Sequence, residues 1–220
     1  MTEIHDQSYR RYRGEREWRG SAWTVIATTG IATMIGRRKF LALLALSWLP
    51  FVVRAVQIYV SVNFPQAESF LGLTAEGFRQ FLEQQGFFIF LVTIYAGAGL
   101  IANDRRANAL QIYLSKPMTR AEYIAGKLAV LVVFLLLVTW VPAMMLLIVQ
   151  VVFRGSFAFL RENLFLVPAI TLFAFLQVFL AAFTMLAMSA LSNSSRYAGI
   201  LYAGVVFKFS APLLVHGRQQ

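Results

Sequence analysis

Residues 103–127 read NDRRANALQIYLSKPMTRAEYIAGK, a polar and basic island between two long apolar runs. The run before it spans 86–102 and the run after it 128–153. That contrast decides the fold. A helix needs roughly 20 consecutive apolar residues to cross the hydrocarbon core of a bilayer. The runs meet that need when they are read as helices, and the island cannot share their environment. The composition agrees: 59% of residues are hydrophobic and only 14% charged, where a soluble domain carries about 25% charged residues. Barrel strands would show about ten residues of strict alternation each, and the chain has no such pattern. The expected fold is all-α, a polytopic helical membrane protein in one membrane domain.

Working outward, residues 1–39 form a polar lead-in with Arg10, Arg11, Arg13, Arg16 and Arg19 among Tyr9, Tyr12 and Trp18. Its second half, from Glu17 to Ile35, has helical spacing, with Trp18, Ala22, Val25 and Ile26 on one side. This predicts an amphipathic helix in the membrane interface, with Trp at headgroup depth and Arg toward anionic lipid. The transmembrane domain runs from 40 to 215, with five spans at about 40–60, 86–102, 128–153, 164–190 and 197–215. Pro50 falls inside the first span, where a missing N–H predicts a kink, and Pro142 falls inside the third. Arg54, about 21 Å along the first span at 1.5 Å per residue, is expected to snorkel to the interface. In the loop after that span, Thr74 predicts the cap of an amphipathic helix on the outer membrane surface or over the pore mouth, with Phe78, Phe81, Leu82 and Gln85 sharing a face. Gly97 and Gly99 predict a close helix approach near the inner end of the second span.

The net charge of +10 follows from topology. With the N-terminus inside, the segments 1–39 and 103–127 together with Arg196 hold fourteen Lys and Arg, against four in the outer segments. The positive-inside rule then puts the N-terminus and the island in the cytoplasm. A basic face beside anionic lipid removes the need for a nucleic-acid partner. There is no Cys, which excludes disulfides and thiolate chemistry.

Little else on the chain can do chemistry. The histidines are His5 and His216, neither at metal-ligand spacing with a partner. Gly126-Lys127 is followed by Leu128, and Ala121 stands where a phosphate loop needs its first glycine. No enzyme activity and no cofactor are therefore expected. An ion-driven pump normally needs a carboxylate at membrane depth, and the acids Asp104 and Glu122 lie at the membrane edge. Two polar groups do fall at membrane depth, Lys208 and Gln177. A buried Lys is a functional candidate, with snorkelling as the alternative, whereas Gln177 is expected to bond another helix.

The island itself reads as a rigid elbow. Residues 105–114 form a short helix with Leu110, Tyr113 and Leu114 on one side and Asp104 as its cap. Pro117 stops that helix, since the residue before proline avoids the helical region. Thr119-Arg120-Ala121-Glu122 is a capping box that fixes where the next helix starts.

This arrangement resembles the membrane (permease) subunit of type-2 ABC transporters, the exporter-like family. The resemblance is carried by Asp104-Arg105-Arg106, Ala109-Leu110-Gln111, Leu114 to Pro117, Thr119-Arg120, and Tyr123 with Gly126-Lys127, all placed after the second span. It implies a coupling helix in this loop that docks into an ATPase subunit, and an elbow helix before the first span. It also implies the setting: the bacterial cytoplasmic (inner) membrane, two copies of an ATP-binding subunit, and a homodimer or heterodimer of permease subunits. The coupling contacts carried over are Asp104, Arg105, Arg106, Leu110, Tyr113, Lys116, Pro117 and Arg120. The function implied is export of a substrate on ATP hydrolysed by a separate subunit. The family norm is six spans against five here, which fits either a C-terminally truncated chain or a divergent member. That departure keeps a second reading open, a non-transporting membrane scaffold or anchor subunit.

Overall fold

A computed structural model describes residues 21–64, 74–109, 118–154, 161 and 163–216. Among the described residues all regular structure is helical, as it must be where backbone polar groups have no water to bond. In chain order the helices are α1 (Ala22–Ile35), α2 (Arg38–Ser47), α3 (Leu49–Asn63), α4 (Ala75–Gly97) and α5 (Ala102–Arg106). They continue as α6 (Arg120–Val138), α7 (Trp140–Arg154), α8 (Leu166–Leu191) and α9 (Ser195–His216). Four stretches of the described residues are long and apolar enough to cross a membrane: Arg38–Asn63, Glu76–Arg106, Arg120–Phe153 and Leu166–Leu191. The 22-residue α9 is also long enough, at about 33 Å, to span a hydrocarbon core of about 30 Å.

The first and third of these stretches are broken helices, and the breaks fall just before the prolines. α2 ends at Ser47 and α3 begins at Leu49, so Pro50 occupies the first turn of a new helix. Its missing N–H costs nothing there, because first-turn N–H groups have no intrahelical acceptor. The disturbance sits at Trp48 rather than at Pro50. Two side chains service it: the Ser47 hydroxyl donates to the Leu44 carbonyl (2.6 Å), and Gln85 Nε2 of α4 donates to the Ser47 carbonyl (3.3 Å). The third stretch repeats the device. Thr139 separates α6 from α7, its hydroxyl donates to the Leu135 carbonyl (2.7 Å), and Pro142 follows inside the first turn.

The second span differs from expectation. Thr74 does cap a helix, its hydroxyl accepting from the Gly77 N–H (3.3 Å). That helix then runs unbroken from Ala75 to Gly97, so residues 75–85 continue into the span and do not form a surface helix of their own. Length explains it: residues 86–97 alone would make about 18 Å of helix, well short of the ~30 Å hydrocarbon core. The shared face of Phe78, Phe81, Leu82 and Gln85 is buried, and its three apolar members pack with Ile58 of α3, Leu146 of α7 and Ile170 of α8.

A larger core fills the other half of the bundle, around Phe40, Val130, Leu131 and Met185. Phe40 stands edge-on to Phe134 at 4.7 Å and stacks on Tyr95 at 5.5 Å. α1 lies along the first half of α6. Gly126 makes that approach possible: a Cβ there would sit 2.7 Å from Ile26 Cβ and 2.9 Å from the Trp23 carbonyl. The face α1 turns to α6 therefore includes Ile26 but not Val25, which is 55% exposed. Trp18 lies outside the described residues. Large apolar side chains remain exposed in rows, such as Val52, Val56 and Tyr59 on α3 and Leu172, Leu176 and Leu180 on α8. Such rows suit contact with lipid tails rather than water.

Candidate functional site

The polar island emerges between α4 and α6, and the described residues include both of its mountings. On the first side α4 ends at Gly97, where a Cβ would sit 2.4 Å from Met185 Cγ, so α8 approaches closely there as expected. At Gly99 the atoms nearest to an added Cβ are those of the Asn103 side chain, one turn on in the same segment. The chain turns through 98–101 and re-enters helix as α5.

One side chain services this turn. The fully buried Ser189 of α8 accepts from the Ile101 N–H (3.1 Å) and the Ala102 N–H (3.0 Å), and donates to the Ala98 carbonyl (3.0 Å). A hydroxyl has one donor and two acceptor sites, so Ser189 is saturated by backbone groups of the break. Nothing in the sequence flagged it. A serine in an apolar helix is unremarkable until the helix opposite is known to break beside it.

α5 is only five residues long and ends before Asn108, whose φ of 53° is left-handed, a conformation Asn tolerates better than most residues. Asp104 is inside α5 and does not cap it. Its carboxylate instead crosses to α6, where Oδ2 accepts from the Tyr123 hydroxyl (2.8 Å) and pairs with Lys127 Nζ (2.8 Å). The two charged side chains are 19% and 14% exposed, and Lys127 Nζ also lies 5.6 Å from the Tyr123 ring centroid. The neighbouring Arg105 turns the other way and donates through Nη1 to the Ala190 carbonyl at the end of α8.

On the second side the capping box forms as read. Thr119 Oγ1 accepts from the Glu122 N–H (3.2 Å), while Glu122 Oε2 accepts from the Thr119 N–H (2.8 Å) and hydroxyl (2.9 Å). Arg120 and Arg106 are exposed. Leu110, Tyr113, Lys116 and Pro117 lie outside the described residues. The island's base is thus moored to α6 through Asp104, and to α8 through Ser189 and Arg105.

The two intramembrane candidates are not drawn into this site. Lys208 is exposed on α9. Gln177 lines a cavity of about 620 Å³ between α4, α8 and α9, beside Gly86, Phe90 and Tyr202. Its buried Oε1 has no hydrogen-bond partner, so the expected bond to another helix is not made through that atom.

Compared with known proteins, the chain matches a family model described as ABC-2 family transporter protein over residues 24–216. No curated protein and no solved structure matches it.

Proposed function

The chain belongs to the ABC-2 transporter family as a multi-pass permease subunit, and from that premise we propose that the island is where an ATP-binding subunit drives it. In this reading two copies of a separate ATPase close on ATP, and the loop between α5 and α6 passes that movement into the bundle to export a substrate. The permease works as a homodimer or heterodimer in the bacterial inner membrane, with its N-terminus and the island in the cytoplasm. The fourteen-to-four distribution of Lys and Arg supports that orientation.

The observation that carries the reading is the double mooring of the island's base, on α6 by Asp104 and on α8 by Ser189 and Arg105. A loop meant only to connect two spans needs no such attachment, whereas a lever needs a stiff root. The residues then divide by task. Asp104 and Arg105 spend their charge inside the subunit and hold the lever. Arg106 and Arg120 are exposed and available to the partner. Lys116, Leu110, Tyr113 and Pro117 supply the rest of the contact, with Leu110 and Tyr113 as apolar anchors and Pro117 as the stop.

The test is co-purification with an ATPase expressed from a neighbouring reading frame, followed by measurement of its stimulated ATPase rate. Leu110→Asp with Tyr113→Asp should abolish both association and stimulation, since two carboxylates would be desolvated in the contact. Retention of both would overturn the coupling role of the island, and failure of any ATPase to co-purify with the unaltered chain would favour a non-transporting membrane scaffold.

A further inference from the structure

At the basic end of the bundle a second cleft, of about 250 Å³, opens beside the island's root. It lies where three parts of the chain converge: the α1–α2 junction with Arg37, the turn after α4 with Gly99 and the start of α5 with Asn103, and the first turn of α9 with Ser195 and Arg196. We infer that this cleft binds the headgroup of an anionic phospholipid, held between Arg37 and Arg196.

The first reason is charge left unanswered. Among the described residues the carboxylates are Glu76, Glu83, Asp104 and Glu122. Glu76 and Glu83 both pair with Arg79, Asp104 with Lys127, and Glu122 is taken up by the Thr119 cap. Neither Arg37 nor Arg196 makes an ion pair with any of them, yet both line one cleft whose other polar members, Asn103, Ser195 and Tyr95, carry no charge. Two arginines lining one small cleft supply the charge and the donors that a phosphate diester takes.

The second reason separates a lipid from a free anion. Each arginine has an exposed apolar residue one turn further into the bundle. Leu41 follows Arg37 and is 43% exposed; Ile200 follows Arg196 and is 66% exposed, with Phe207 at 68% two turns beyond. Arg196 and Ile200 share a face of α9, since residues four apart do, and Leu41 lies in the first turn of α2 that Arg37 caps, so exposed apolar side chains begin one turn beyond each arginine. A ligand that fills both features carries a negative head and an acyl tail. Basic pockets between spanning helices are suited to such headgroups.

The experiment uses the full chain purified in detergent, with thermal melts recorded against added phosphatidylglycerol or phosphatidylcholine. Phosphatidylglycerol should raise the melting temperature saturably and phosphatidylcholine should not. Arg37→Ala with Arg196→Ala should raise the half-saturating concentration by roughly tenfold or more. Arg54→Ala with Arg161→Ala, which removes the same charge elsewhere, should leave it unchanged. Both arginines of the cleft are exposed, so the variant keeps its core. An unchanged response in the Arg37 and Arg196 variant overturns the site, and so does an equal loss in the control. A matching shift with inorganic phosphate at constant ionic strength overturns the assignment to lipid. The readout involves no ATPase, so it is independent of the coupling role.

Discussion

Ser189 is the residue on which the base of the island depends most. Replacing it with Ala would leave two N–H groups and one carbonyl of the 98–102 turn unbonded in a buried place. Each unsatisfied buried group costs about 1–3 kcal/mol, but the turn can relax and admit water. A total loss of about 2–4 kcal/mol is expected, read as a lower melting temperature in detergent. The Asp104–Lys127 pair makes a second prediction at this scale. Its side chains are shielded but not sealed, so Lys127→Ala should cost about 1–2 kcal/mol. A double-mutant cycle with Asp104→Asn should show coupling well above the few tenths typical of independent sites. Neither interaction was legible in the sequence. Asp104, Tyr123 and Lys127 could each be singled out as island residues, but their meeting depends on how far α5 turns after Gly97. No periodicity encodes that angle.

Elements were more legible than contacts, and the reasons are local. The Thr119–Glu122 capping box is a pattern over four residues, and all its bonds form as read. Thr119→Ala should cost about 1 kcal/mol and fray the first turn of α6, with faster amide exchange there than in the middle of the helix. The prolines taught the opposite lesson. Read singly, Pro50 predicts a kink at itself. The chain instead breaks earlier, at Trp48 and Thr139, and restarts with each proline in a first turn. Pro50→Ala should therefore change stability by no more than about 0.5 kcal/mol, unlike the roughly 3 kcal/mol of a mid-helix proline. The unbroken α4 was missed because amphipathic spacing at 78–85 reads as an interfacial helix. In a bundle, a mixed face can equally point at neighbouring helices, and here Gln85 finds a carbonyl of α3's broken partner.

For the whole molecule, composition and run length sufficed to give a polytopic helical protein, because lipid leaves the backbone few options. The positions of the lipid-facing rows and of α1 were not readable, since low charge on every side of a helix hides which side is buried. Orientation can be tested directly on this chain, which has no native cysteine. With single cysteines at Arg106→Cys and Thr74→Cys, a membrane-impermeant maleimide applied from the cytoplasmic side should label only the first in sealed vesicles. Labelling of only the second would invert the topology.

The saturated hydroxyl at Ser189 also gives the molecule a clock. While the turn holds, the amides of Ile101 and Ala102 are each spent on one buried oxygen, and water cannot take their protons. Any stroke that rotates α5 against α8 has to open those bonds. Their deuterium uptake, followed with and without nucleotide on an ATP-binding partner, would time each excursion of the proposed lever from two backbone positions.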